Sequence, residues 1–356
     1  MGDQERKEGF DLATYLNNGM DTLVRDFLGS AGPRYAWAFR KAKKIRERLS
    51  AQGHRMPAFL ITSITTRCNL FCAGCYARAN EAWGHTRDAM LSTDNWARLF
   101  REARECGIPF ILLAGGEPLL RMDVLEQAAR VKEILFPVFT NGTLLGEPVL
   151  KLLTKNRHLV PMLSLEGGRV ETDGRRSPGT YDALLAAMEV LKRRKLFFGV
   201  SVTVTTANLS TVTGPEFHHR LAELGCRAVL FVEYVPMNPA TETLAPTDVE
   251  RQVLARGQAR LRQLYPRTLF LSFPGDEKEA GGCLAAGRGF FHISADGAAE
   301  PCPFSPYSDT NLRDRSLTDA LSSPLFRRLE ESGWLSGNHA GGCVLAQKEA
   351  EVKALL

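Results

Sequence analysis

The stretch Phe59-Leu60-Ile61-Thr62-Ser63-Ile64-Thr65-Thr66-Arg67-Cys68-Asn69-Leu70-Phe71-Cys72-Ala73-Gly74-Cys75 joins two signals. Its first six residues form an apolar, β-branched run that reads as a strand. Directly behind it, Cys68, Cys72 and Cys75 stand in a C-x3-C-x2-C spacing. Three thiols within eight residues of a loop can converge on one metal centre. Thiolate softness selects zinc or an iron–sulfur cluster. Closed zinc sites use paired C-x2-C knuckles and four ligands. Here no second knuckle follows, and the closest histidine is His85. A [4Fe-4S] cube held by three cysteines leaves one iron for an outside ligand.

From this strand outward, residues 57–266 alternate between short apolar runs and helical patterns. The further runs are Phe110–Leu113, Phe136–Phe139, Val160–Leu165, Val200–Val204 and Val229–Val232. Tyr181, Leu184, Leu185, Met188 and Leu191 follow the i, i+3, i+4 spacing of an amphipathic helix. Six strand–helix repeats predict an α/β fold, a partial (β/α)6 TIM-like barrel with right-handed crossovers. Pro137 and Pro161 fall inside strand runs, which either argues against strands there or places the prolines at strand starts. Parallel sheets carry their sites at the carboxyl ends of the strands. The polar and glycine motifs follow the strands in that way.

Residues 1–56 read as a helical N-terminal segment, with helices expected over 10–28 and 34–52. The second carries seven Lys or Arg against one acid, Glu47, which reads as a solvated face or a docking surface for an acidic partner. Residues 267–356 form the third unit. A hairpin is expected around Asp296-Gly297, and Pro324 splits a helical stretch from Ser316 to Glu331. His218 and His219 are expected on an outer helix face, at the surface.

With 356 residues, 44% hydrophobic and 24% charged, the chain has globular composition, which excludes a mostly disordered one. No apolar run is long enough to span a membrane and no export signal is visible, so a cytoplasmic, reducing location is expected. A net charge of +5 does not by itself indicate nucleic acid. In a reducing compartment the eight cysteines are core residues, metal ligands or nucleophiles rather than disulfides. Cys106 and Cys226 stand alone and are expected to pack against the core.

The C-x3-C-x2-C loop after the first strand of a six-fold β/α repeat resembles the radical S-adenosylmethionine (radical SAM) superfamily. The resemblance implies that Cys68, Cys72 and Cys75 hold a [4Fe-4S] cluster whose free iron chelates SAM. Reductive cleavage then yields a 5′-deoxyadenosyl radical that abstracts hydrogen from substrate. Gly115-Gly116-Glu117-Pro118 is similar to the family's GGEP, whose backbone receives the SAM amino group; glycine there allows close approach to a ligand. Asn141, within Thr140-Asn141-Gly142, matches another family motif. Ser164-Leu165-Glu166-Gly167 resembles SLDG, with Glu166 where aspartate is usual, and Asp173 with Arg175-Arg176 resembles the D-x-x-R segment that follows it. Ser164 and Arg176 are carried over as SAM contacts; Thr203 and Asn208 take SAM-facing positions. One departure stands out: the aromatic residue usual before the third cysteine is Gly74 here, so Tyr234, Val235 and Pro236 are expected to complete the adenine pocket.

Cys283-x13-Gly297-x4-Cys302, with Cys343 beyond, resembles a truncated SPASM, or twitch, extension. That implies an auxiliary [4Fe-4S] cluster on three cysteines, with an open iron or a fourth ligand such as His339. Glu233 and Tyr234, at the end of the sixth strand, are candidate catalytic residues, as proton acceptor or radical relay. The expected activity is hydrogen abstraction from a small-molecule, cofactor-precursor or peptide substrate, with an electron donor such as flavodoxin or ferredoxin. The competing readings are a non-catalytic iron–sulfur electron-transfer protein and a zinc-binding interaction protein.

Overall fold

In the computed structural model, which describes residues 32–81, 90–278, 281–337 and 342–356, the opening strand β1 (Phe59–Ser63) lies inside a nine-stranded sheet. The others are β2 (Phe110–Ala114), β3 (Phe136–Thr140), β4 (Leu159–Ser164), β5 (Gly199–Val204), β6 (Ala228–Glu233), β7 (Leu269–Phe273), β8 (His292–Ile293) and β9 (Ala299–Glu300). Their order is β7-β6-β5-β4-β3-β2-β1-β8-β9, parallel throughout except for the antiparallel β8–β9 pair.

Side chains alternate across a strand. One set, including Leu60, Ile111, Leu113, Val138, Leu163, Val202 and Phe231, is buried in the main core with helix residues such as Trp96, Leu99, Leu184 and Met188. The other set, including Ile61, Leu112, Phe139, Met162, Thr203, Leu230 and Leu271, lines a single cavity. One cavity bordered by all seven parallel strands means that the sheet curls into a partial barrel.

The helix Gly32–Ala51 closes the lower end of this barrel. Tyr35, Ala38, Phe39 and Ala42 are its buried residues, at the helical spacing i, i+3, i+4, i+7. Tyr35 and Phe39 pack on Phe110, Leu135, Val160 and Met162, at or near the starts of β2, β3 and β4, and Phe39 stacks on Phe110 with ring centroids 5.1 Å apart. The basic residues occupy the remaining faces; Arg46 donates to the carbonyl of Gly107. The helix expected over residues 10–28 lies outside the described residues.

Residues 267–356 supply strands to both edges of the sheet. β7 pairs with β6, and β8 pairs with β1 through Ile61–His292 and Thr62–Ile293. The sheet therefore runs continuously across position 266. The helical stretch divides at Pro324 into Leu317–Leu321 and Pro324–Glu331.

Two details depart from expectation. Pro137 falls at the start of β3, as its second residue, whereas Pro161 lies inside β4, with Val138 opposite it. Each removes one donor, and the neighbouring pairs of the ladder carry the register. His218 is buried: its ring nitrogen Nε2 lies 2.7 Å from the Val212 carbonyl, and its ring packs on Phe217, Phe231 and Phe270. Burial pushes its pKa down. His219 is exposed, as expected. Cys226 is buried in the core and Cys106 packs against it. Among the described residues, no helix is long and apolar enough to cross a membrane.

Candidate active site

Three loops at the carboxyl ends of β1, β2 and β3 are tied together by backbone and carboxylate contacts. The backbone N–H groups of Gly116 and Glu117 donate to the carbonyls of Thr65 (2.7 Å) and Arg67 (2.8 Å). A Cβ at Gly116 would overlap the Arg67 carbonyl, and one at Gly115, where φ is +127°, would overlap that of Thr65. The glycines thus let the second loop lie against the cysteine loop itself, a contact the expected approach to a ligand did not include. Pro118 begins a buried turn behind this contact.

Glu117 points inward. Its carboxylate accepts from Thr140 Oγ1 (2.7 Å), the Asn141 N–H (2.8 Å) and the Leu119 N–H (3.0 Å). Burial raises its pKa, against the pull of these hydrogen bonds and of Arg176. Asn141 Nδ2 donates to Asn69 Oδ1 at 2.9 Å, and Asn69 Nδ2 to Thr143 Oγ1 at 2.8 Å. Asn141 therefore clamps the residue after Cys68 to the end of β3.

Cys68, Cys72 and Cys75 are free thiols, each partly exposed, and all three border the barrel cavity of about 400 Å³. That volume is in the range of small-molecule sites. The Leu70 N–H points at Cys68 Sγ (3.5 Å), while burial raises the Cys68 pKa. Arg176 Nη1 approaches Cys72 Sγ at 3.8 Å, and the Ala73 N–H donates to the Arg175 carbonyl at 2.8 Å. The fourth-strand loop thus grips the cysteine loop from the opposite side.

Glu166 organises that grip. Its fully buried carboxylate receives Arg175 Nη1 at 2.7 Å, Arg176 Nε at 2.8 Å and Nη2 at 2.5 Å, and the Thr203 N–H at 2.8 Å. Burial opposes its ionisation, but the two guanidinium groups outweigh it and hold the carboxyl below its ordinary range. Asn208 lies one layer behind. Its Nδ2 donates to the carbonyls of Glu166 and Thr203 (both 2.9 Å), and its Oδ1 accepts from the Thr205 N–H at 2.8 Å. That amide is committed to the backbone, so the expected SAM-facing placement of Asn208 gives way to a positioning one. Ser164 and Thr203 do line the cavity.

Tyr234 is buried against Gly74: a Cβ at Gly74 would overlap its hydroxyl and ring. Tyr234, just after β6, thus fills the space beside Gly74. Glu233 is buried beside it, accepting from Arg251 Nε at 3.1 Å and from the Gly342 N–H at 3.5 Å. Burial raises its pKa, with Arg251 opposing.

Across the cavity, Glu277, Leu284, Pro303 and Phe304 form the wall in front of the C-terminal cysteines. The Cys302 and Cys343 side chains are hydrogen-bond neighbours, and Cys283 is close enough to act on Cys302 electrostatically. Burial raises the Cys283 and Cys302 thiols. Sequence left open which way His292 faces and did not single out Glu277. Ser63 Oγ lies 2.8 Å from His292 Nε2, and His292 Nδ1 lies 2.6 Å from Glu300 Oε2, a buried chain joining β1 to the hairpin. Glu277, from the short turn after β7, lies against Cys283. The Ser63–His292 contact spans 229 positions of chain; the Glu277–Leu284 and His292–Glu300 contacts are local, but no motif marks them. His339 and His85 lie outside the described residues.

The donor sets fit iron–sulfur cubes: each is three free thiols close enough to interact, Cys68, Cys72 and Cys75 at the cavity and Cys283, Cys302 and Cys343 behind Leu284 and Pro303. Among the described residues, no three His, Cys, Asp or Glu side chains close on a single metal ion. A cube binds each thiolate on a separate iron and holds them farther apart.

Residues 62–225 match the family model described as Radical SAM superfamily. The AdoMet-dependent heme synthase of Methanosarcina barkeri is 27% identical over 312 residues, covering 79% of this chain and 87% of that protein. The PqqA peptide cyclase of Granulibacter bethesdensis is 23% identical over 295 residues, covering 78% of each chain. Among solved structures, SuiB of Streptococcus suis has a TM-score of 0.68 at 17% identity, covering 85% of this chain and 77% of SuiB. That likeness is one of fold. SuiB has also been solved bound to S-adenosylmethionine and bound to its precursor peptide SuiA.

Proposed function

Residues 62–225 make this chain a member of the radical SAM superfamily, and from that premise we propose that it is a hydrogen-abstracting enzyme acting on a substrate held in the barrel cavity, with an auxiliary [4Fe-4S] cluster at Cys283, Cys302 and Cys343. When bound, the first cluster and SAM supply a 5′-deoxyadenosyl radical. Cys68, Cys72 and Cys75 hold that cluster. Arg176 sets the Cys72 side of the loop and Glu166 fixes Arg176. The glycines and Glu117 fix the other side. Ser164, Thr203 and the backbone of the Gly115–Pro118 turn face SAM, and Tyr234, seated on Gly74, borders its adenine.

The observation that carries this reading is the cavity: Cys68, Cys72 and Cys75 line it, Leu284 and Pro303, the chain neighbours of Cys283 and Cys302, line it as well, and most of the remaining lining is aliphatic and aromatic. Such a lumen excludes water from a reactive radical and receives an apolar part of the substrate. Relatives named for heme synthesis and for peptide cyclisation align over similar shares of this chain. A cofactor precursor or a peptide is therefore the substrate class. Reduction by a flavodoxin- or ferredoxin-type donor completes the scheme. Glu233 stands at the cavity rim as proton acceptor.

The test is 5′-deoxyadenosine formation by anaerobically reconstituted protein given SAM and dithionite. We expect formation that is lost when Cys68, Cys72 and Cys75 are replaced together by alanine, with auxiliary iron retained. Iron-loaded protein that neither binds SAM nor forms 5′-deoxyadenosine would establish an electron carrier instead.

A further inference from the structure

Three cysteines leave one iron of an auxiliary cube without a protein ligand. Glu277 lies beside Cys283 and near Cys343. It sits in the 3-10 turn Gly275–Lys278, directly after β7, and only 3% of its surface is exposed. Its carboxylate is a hydrogen-bond neighbour of the Cys283 side chain and is close enough to Cys343 to interact electrostatically. The Leu284 N–H donates to its Oε1 at 3.2 Å, which aims the group toward the cysteines. Arg288 is the nearby cation, yet its guanidinium hydrogen-bonds the carbonyls of Cys283 and Leu335.

A carboxylate buried among thiols is costly unless a positive centre receives it. Iron accepts carboxylate oxygen as well as thiolate, so a bond to one iron would satisfy the buried carboxylate.

We propose that Glu277 is the fourth protein ligand of the auxiliary cluster, binding the iron that Cys283, Cys302 and Cys343 leave free. The assignment rests on the auxiliary centre proposed above. It makes that cluster coordinatively saturated, so substrate packs against the Glu277 wall of the cavity without binding iron.

The test uses the full chain with Cys68, Cys72 and Cys75 replaced by alanine, so that only the auxiliary cluster reports. The reduced cluster is examined by electron paramagnetic resonance with added ¹⁵N-imidazole as the probe. With Glu277 present, no ¹⁵N coupling is expected. Glu277→Ala opens the site, and coupling appears. Glu277→Cys again excludes imidazole but gives altered g-values, because a thiolate replaces the carboxylate. If the alanine variant does not load iron, the cysteine variant and the Glu277 protein decide between them. Coupling with Glu277 in place, or a Glu277→Cys spectrum identical to that of the Glu277 protein, overturns the ligand assignment alone. Iron-free protein in this background overturns the auxiliary centre itself, and the assignment with it.

Discussion

Replacing Glu166 by glutamine tests the electrostatic frame of the site without changing its shape. Glutamine matches glutamate in volume, so no cavity term enters. What is lost is the charge that receives Arg175, Arg176 and the Thr203 N–H. The Glu166 side chain is 1% exposed, and those of Arg175 and Arg176 are 17% and 10% exposed, so the guanidinium groups cannot fully rehydrate when the carboxylate is gone. Breaking a buried ion pair from one side costs about 3–5 kcal/mol. The partial exposure of Arg175 places this variant at the lower end, about 3 kcal/mol, or roughly a hundredfold in the unfolding equilibrium. Anaerobic urea denaturation of the metal-free protein at pH 7 measures it. The folded Glu166 carboxyl lies below its ordinary value of 4.5. Its contribution is therefore fully present above that value and is lost as pH falls through the folded value. The gap between the two proteins should narrow on acidification below about 4.5. A difference under about 1 kcal/mol at pH 7, or a gap that does not narrow in acid, would refute the reasoning.

Two further outcomes follow from the packing. Gly116→Ala puts a methyl group into the Arg67 carbonyl, a backbone atom that cannot turn aside; iron analysis should show loss of the first cluster's iron with the auxiliary iron retained, and full iron loading would mean that the loop contact is dispensable. Phe39→Ala removes the ring stacked on Phe110 at the barrel floor and should cost about 3–5 kcal/mol by denaturant titration; a loss under about 1 kcal/mol would show that the helix does not plug the barrel.

Much of the site was legible in the sequence because its signals are local. The spacing of Cys68, Cys72 and Cys75, the short apolar runs of the strands and the 3.6-residue spacing from Tyr181 to Leu191 each lie within a short stretch of chain. The position of a motif after its strand also placed it at the correct end of the sheet. Gly115-Gly116-Glu117-Pro118 was found in this way, but what its glycines touch was not, since that depends on the backbone of Thr65 to Arg67. The same limit applies to the helix Gly32–Ala51. Its charge pattern suggested a solvated face, and the narrow stripe of Tyr35, Ala38, Phe39 and Ala42 gained meaning only when the barrel presented an apolar floor.

The sequence by itself determined the class of fold, the alternation of its strands and helices, the cysteine loop and the candidate auxiliary cysteines. Tertiary structure decided which side chains face the cavity and which stand behind it. It put Tyr234 in the space left by Gly74, committed Asn208 to the backbone, buried His292 between Ser63 and Glu300, and brought Glu277 to Cys283. The physical reason is chain separation. A period or a spacing is a property of neighbouring residues, whereas Ser63 and His292 are 229 positions apart, and nothing in either neighbourhood encodes the other until the sheet brings β1 and β8 together.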